Sequence, residues 1–278
     1  MICASTQCLP DTGMEETLMA YSRADIENVE LGYCSEKDVD VSALVEEYSF
    51  NFVAHNYFLP VQDEFILNLA SPDESLRRQS VDYVKDAITF CEKHDIPRYT
   101  FHGGFRVDPD LSLTFPKQSP PDYETCFERF LSSLRSVIDH ATSTDVSISI
   151  ENNVVTTENV VGGDPLLMFC RPDEFSRLFE EVDPSDCGVL LDTGHLNVSS
   201  QTFDYDKSRV VQEVADYLDC LHLHTNNGRV DQHDAVNPTD DDIPVSSMSG
   251  LTRVVESHHG NARDLKQLLL RLGAKSER

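Results

Sequence analysis

The stretch Gly188-Val189-Leu190-Leu191-Asp192-Thr193-Gly194-His195 decides the fold. Its apolar part is short and branched, the pattern of a strand covered on both faces. It closes on an aspartate, and a histidine follows one turn later. An apolar strand has no packing reason to end in an ionisable group, because burying one unpaired is costly. The same phrase recurs along the chain. Strand-like runs cover Ile2 to Ser5, Asn28 to Gly32, Phe52 to His55, Tyr99 to His102, Val146 to Glu151, Cys220 to His224 and Leu251 to Glu256. With Gly188 to Asp192 they make eight.

Between these runs the apolar period lengthens to that of a helix. The clearest case begins at Ser71-Pro72-Asp73-Glu74, which reads as a capping box with Pro72 at the first helical position. It puts Val81, Val84, Ala87, Ile88 and Cys91 on one face. A second helix carries Phe127, Phe130, Leu131, Leu134, Val137, Ile138 and Ala141. A third follows Pro172 with Phe175, Leu178, Phe179 and Val182, and a fourth has Val210, Val211, Val214 and Leu218. The last runs from Ala262 to Leu272. Strands alternating with helices predict an α/β fold, a (β/α)8 TIM barrel, as one domain over residues 1–278. An open doubly wound sheet is the competing architecture. The Pro- and Ser-rich stretch 107–122 reads as a loop after the fourth strand. Only about seven residues separate Ile243 from Gly250, which predicts a shortened helix before the last strand. That would expose barrel wall for a second copy to cover, hence an expected homo-oligomer.

The chain of 278 residues is 40% hydrophobic and 26% charged, ordinary globular values that exclude a fibrous or wholly disordered protein. Its charge is not ordinary: 49 acidic against 22 basic residues leave −27. Such a surface is strongly solvated and argues against general binding to nucleic acid, which needs a dense basic face. The eight cysteines, at 3, 8, 34, 91, 126, 170, 187 and 220, are scattered without a CxxC pair. Reduced, buried thiols are expected rather than a disulfide framework. No apolar stretch reaches 18 residues, so no membrane span is expected. Met1-Ile2-Cys3-Ala4 lacks the basic opening of a secretion signal, and a cytoplasmic location is expected.

In a barrel of this kind chemistry sits where the strands' C-terminal ends emerge. There the chain supplies His55, His102, Glu151, Asp192 with His195, His222 with His224, and Glu256, followed by Asp231 and His233. Imidazoles with carboxylates suit a divalent metal such as Zn, Mn, Mg or Co, and one to three ions are expected. Taken singly these residues have blander readings. Asp192 can cap a turn, His224 can stand behind the ligands, and Glu30 can be a floor ion pair or a site carboxylate. His94 and His140 read as structural or exposed, and His258 and His259 as a solvated loop.

The segments His55-Asn56-Tyr57-Phe58, Leu67-Asn68-Leu69-Ala70-Ser71, Phe101-His102-Gly103-Gly104, Ile150-Glu151-Asn152, Leu191-Asp192-Thr193-Gly194-His195, Leu221-His222-Leu223 and Arg229-Val230-Asp231-Gln232-His233 stand in family order. On them the chain resembles the xylose isomerase-like barrel superfamily, which holds endonuclease IV and many sugar-phosphate isomerases and epimerases. The resemblance to the single-metal epimerases implies Glu151, Asp192, His222 and Glu256 as metal ligands. The resemblance to endonuclease IV adds His55, His102, His195, Asp231 and His233, and implies three zincs. Two departures weaken the nuclease likeness. His224-Thr225 replaces an Asn-Asp pair, and Asn237-Pro238-Thr239-Asp240-Asp241-Asp242 replaces a Gly-Glu-Gly turn. The latter puts three carboxylates where a DNA backbone would lie.

The leading expectation is a metal-dependent isomerase or epimerase acting on a sugar, sugar phosphate or related polyol, by proton abstraction beside a metal-polarised carbonyl. Glu151 and Glu256 are the expected acid/base pair, His195 and His102 orient hydroxyls, and Arg106, Arg229, Asn152 and His224 bind substrate. An endonuclease IV-like trinuclear-zinc phosphodiesterase is the alternative. A barrel that only binds metal or sugar is the third reading.

Overall fold

A computed structural model describes residues 1–236 and 250–276. Eight parallel strands close into a barrel: β1 Ile2–Ser5, β2 Asn28–Leu31, β3 Asn51–His55, β4 Arg98–His102, β5 Ser147–Glu151, β6 Gly188–Asp192, β7 Leu218–Leu223 and β8 Thr252–Val255. Each pairs with its sequence neighbours, and β1 pairs with β8 to complete the ring. The outer helices are α1 Met14–Arg23, α2 Val41–Glu47, α3 Glu74–Lys93, α4 Tyr123–Ala141, α5 Pro172–Phe179, α6 Thr193–Phe203, α7 Lys207–Val214 and α8 Ala262–Ser276. A two-residue antiparallel ribbon, Val160–Val161 with Asp164–Pro165, decorates the β5–α5 connection. The fold is a (β/α)8 barrel, as the alternation predicts.

The period-2 alternation of a strand positions the site. In β7, Leu221 and Leu223 join the large apolar layer between barrel and helices, whereas Cys220 packs inside the barrel with Cys3, Val53, Leu190 and Val254. The next inward positions toward the C-terminal end are His222 and then His224. The same count brings Glu30, His55, His102, Glu151, Asp192 and Glu256 inward, one step above that small apolar plug. Register fixes their neighbours: His102 lies beside Glu151, and Asp192 beside His222.

Local departures from expectation have identifiable causes. The helix after Ser71 starts at Glu74, and its cap is Asp73, whose carboxylate accepts from the Ser75 and Leu76 amides. Ser71 is not that cap because its hydroxyl is engaged elsewhere, accepting from the Asp73 amide at 3.0 Å and donating to Asp108 at 2.8 Å. The fourth expected helix ends at Val214, and Leu218 opens β7 instead. Strands β7 and β8 stop one residue short of His224 and Glu256, leaving both at the rim. The shortened helix before the last strand, and Asn237 to Asp242, lie outside the described residues. All eight cysteines are free and buried. Burial pushes the Cys220 thiol up to about 12. Among the described residues, no helix is long and apolar enough to cross a membrane.

Candidate metal centre

Glu151, at the end of β5 and 1% exposed, is the hub of the mouth. Its Oε2 lies 3.4 Å from His55 Nε2 and 3.2 Å from His102 Nδ1. Its Oε1 lies 3.2 Å from His195 Nδ1 and 3.7 Å from His222 Nδ1. His222 Nδ1 also faces Glu256 Oε2 at 3.2 Å and Asp192 Oδ2 at 3.8 Å. On the opposite edge of its ring, His222 Nε2 is 2.9 Å from Glu30 Oε2. Asp192 caps α6 through the His195 amide at 2.6 Å, so the turn that ends β6 also delivers His195. Asp231 Oδ2 sits 3.2 Å from both His195 Nε2 and His233 Nε2. His233 reaches inward from a left-handed backbone position, φ +51°.

Burial works against charge on all of these groups, and their neighbours decide the outcome. Burial lowers His55 to about 3, against the pull of Glu151, and lowers His102 for the same first reason. Burial also acts downward on His195, but Asp192 and Asp231 hold it well above the ordinary imidazole range. Glu256 and Glu30 do the same for His222. In His233, Asp231 outweighs burial and raises the imidazole to about 9. Burial would raise Glu151 and Glu256, but His102 and His55 bring the first below the carboxylate range and His222 the second. Glu30 goes the other way, raised by burial that His222 does not fully offset.

The family model for the xylose isomerase-like TIM barrel matches residues 19–252. The chain belongs to that family. An uncharacterised protein of Methanocaldococcus jannaschii is 23% identical over 206 residues, 72% of this chain and 60% of its own length. A protein of Phocaeicola vulgatus named "Probable endonuclease 4" is 28% identical over 193 residues, 65% of this chain and 60% of its own. The matches thus span about three fifths of those two relatives. Among solved structures, a D-tagatose 3-epimerase-like protein superposes with a TM-score of 0.71 at 18% identity, covering 99% of this chain and 98% of its own. A Thermus thermophilus protein soaked with ZnCl2 gives 0.66 at 18%, with 98% and 97% covered. These last two show the shared fold.

In this xylose isomerase-like barrel the residues themselves fit a divalent cation. Glu30 Oε1, His102 Nδ1, Glu151 Oε2, His222 Nδ1, His224 Nδ1 and Asp231 Oδ1 are buried without a hydrogen-bond partner. Six such atoms at one mouth are costly unless something else binds them. Five overlapping trios have donor atoms within 4.8 Å of one another: Glu30–His55–His222, His55–His102–Glu151, Glu151–Asp192–His222, Asp192–His195–His224 and His224–His233–Glu256. Nitrogen and carboxylate oxygen donors suit zinc or manganese.

The barrel brings all nine expected ligands together at one mouth. Glu30, left open between a floor ion pair and a site carboxylate, pairs with His222 Nε2 at 2.9 Å, on the edge of that ring away from the other ligands. His224, expected to touch substrate, faces Asp192 and Asp231 instead. The alternation Cys220, His222, His224 carries that signal in the sequence. Other expected substrate contacts are engaged by the protein. Arg106 is 4% exposed, and its guanidinium donates to the Pro165 carbonyl at 3.1 Å and to that of Pro121, pinning the 107–122 loop. It is therefore not free to hold an anion. The Asn152 side chain accepts from the Asp192 amide at 2.7 Å and donates to its carbonyl at 3.2 Å, clamping β5 to β6. Both His195 nitrogens are occupied, Nδ1 by the Asn152 carbonyl and Nε2 by Asp231. Arg229 is exposed on the β7–β8 connection. His258 is exposed as expected, yet stacks on His233 at 5.2 Å. His94 bonds Ser42 at 3.0 Å, away from the mouth.

Proposed function

We propose that the protein is a metal-dependent isomerase or epimerase of a sugar or related polyol. The observation that carries this reading is the approach of two carboxylates from β5 and the end of β8 to one imidazole. Glu151 Oε1 and Glu256 Oε2 stand 3.7 and 3.2 Å from His222 Nδ1, with Asp192 Oδ2 at 3.8 Å. Glu151, Asp192, His222 and Glu256 would hold the ion. When bound, it supplies Lewis-acid polarisation of a carbonyl and its neighbouring hydroxyl. The imidazoles around them favour the ionised form of both glutamates, so either can take a proton from the carbon next to that carbonyl. In an isomerisation the same glutamate gives that proton back at the neighbouring carbon; in an epimerisation the other, protonated beforehand from water, delivers its proton to the opposite face, and the first releases its own to water. His102, whose side chain is 26% exposed, is the imidazole best placed to meet a substrate hydroxyl. Below the mouth, Cys3, Val53, Leu190, Cys220 and Val254 pack as a small buried apolar plug. The sugar 3-epimerase folds superposing on nearly the whole chain support this class, and a small polar substrate agrees with a surface of net charge −27.

Incubation of the metal-loaded protein with D-tagatose, D-allulose or L-ribulose in D2O tests the reading. Deuterium incorporated at a carbon beside the carbonyl is expected, and its absence from every ketose and sugar phosphate tried contradicts the reading.

A second reading, a phosphodiesterase acting on DNA, is supported by the complete set of nine residue types and by the Phocaeicola vulgatus relative. Cleavage of duplex DNA at an abasic site by the zinc-loaded protein would favour it over the first.

A further inference from the structure

We infer that Glu174, outside the mouth, is a positioning residue that fixes His102 and the end of β5 through Phe169 and Gly103. The inference deepens the reading above and rests on it for the part that His102 plays with substrate.

Glu174 is a buried carboxylate, 5% exposed, in the first turn of α5. Its two oxygens accept from three consecutive backbone amides. Oε2 takes those of Arg171 and Cys170 at 2.6 and 2.7 Å, the ordinary work of a residue that closes the start of a helix. Oε1 has a different partner, the Phe169 amide at 3.0 Å. Phe169 is fully buried at φ +55°, a left-handed position where a bulky side chain is strained. Such a conformation persists only where the surroundings over-determine it. Here Glu174 holds the Phe169 amide, and the Asn153 amide donates to the Phe169 carbonyl at 3.0 Å.

That backbone aims the ring at the turn after β4. A Cβ at position 103 would lie 2.3 Å from Phe169 Cδ2, so the ring stands directly on the Gly103 backbone. Phe130 and Phe175 support it from behind, with centroids 4.9 and 5.2 Å away. Gly103 follows His102, and its amide donates to the Glu151 carbonyl at 3.2 Å. The Gly104 carbonyl accepts from the Met168 amide at 3.2 Å and from the Asn153 side chain at 2.9 Å. Residues 168 and 169 therefore buttress the two strand ends that carry His102 and Glu151, whose side chains lie 3.2 Å apart. A carboxylate on the outer layer thus bears on the mouth through one phenylalanine and one glycine. Capping α5 alone would need neither the strained residue nor the bare backbone at position 103.

Glu174→Gln keeps the shape but leaves one acceptor oxygen for three amides. In the metal-loaded protein it should lower kcat for deuterium exchange on a ketose about 10- to 100-fold, and change KM far less. A second reading needs no activity. In metal-free protein the imidazole nitrogen resonances of His102, assigned by their loss in His102→Asn, should shift, while those of His94 stay in place. Gly103→Ala, whose methyl meets the Phe169 ring, should act in the same direction and serves if Glu174→Gln does not fold. Unmoved His102 resonances in both variants overturn the proposal, as does a shift of His94 as large as that of His102. A wild type that exchanges no sugar proton, with a selective His102 shift in the variants, overturns the functional reading and leaves the positioning role standing.

Discussion

Glu30 Oε2 lies 2.9 Å from His222 Nε2, both side chains essentially buried, so the proton of His222 is fixed on the edge away from the other ligands. The lone pair of Nδ1 is thereby turned toward Glu151, Asp192 and Glu256. Glu30→Gln keeps the shape but replaces an anionic acceptor with a weaker one. Metal affinity at this site should fall about 10- to 100-fold, measured by competition with a chromophoric chelator. Equal affinity in the two proteins would show that Glu30 does not orient the ligand.

Glu151→Gln and Glu256→Gln should each lower proton exchange from substrate by about 10²- to 10⁴-fold, while circular dichroism shows an intact barrel. His94→Ala supplies the contrast. His94 stacks on Phe90 at 4.4 Å on the helical side, and its loss should leave exchange unchanged.

Protonation and metal compete for the same atoms, which sets opposite pH trends for the two forms. In the metal-free protein His195 and His222 are raised well above the usual value and His233 to about 9. A raised imidazole adds stability below its unfolded value near 6.5 that is lost as pH climbs through the folded one. Glu151, Glu256 and Asp231 are lowered, and their contribution is lost as pH falls below the ordinary carboxylate range. Thermal melts of metal-free protein should therefore decline from about pH 6.5 to about 9. Zinc affinity should rise over the same interval, with protons released on binding. A zinc affinity that is flat between those limits would contradict the assignment of these imidazoles as ligands.

The net charge of −27 makes self-repulsion a general cost of the compact state. Raising salt from about 0.1 to 1 M shortens the screening length from about 10 to 3 Å. The melting temperature should rise by several degrees, read by calorimetry. A fall would mean that ion pairs such as Arg135–Glu181, 3.0 Å, outweigh the repulsion.

The barrel was legible because its strands are short apolar runs, six of the eight delivering a His, Asp or Glu at or just past the C-terminal end. Gly188–Asp192 is bounded in the structure as the residues imply. The ring of ligands was legible for the same reason, since period-2 alternation needs no tertiary information. What the sequence hid were the competitions between partners. Nothing in the order of residues shows that Arg106 is drawn to the carbonyls of Pro121 and Pro165, or that the Asn152 amide is consumed by the backbone of Asp192. Ser71 looked like a helix cap until Asp108, far along the chain, bound its hydroxyl. Glu30 and His222 are separated by 192 positions, so only closure of the barrel brings them together.

The central claim is that the mouth of this barrel is a divalent metal centre. Anomalous diffraction from crystals of the full chain loaded with zinc tests it most directly. The account predicts a peak within bonding distance of Glu151, Asp192, His222 and Glu256. Zinc absent from the mouth, or bound only by surface carboxylates, would contradict it.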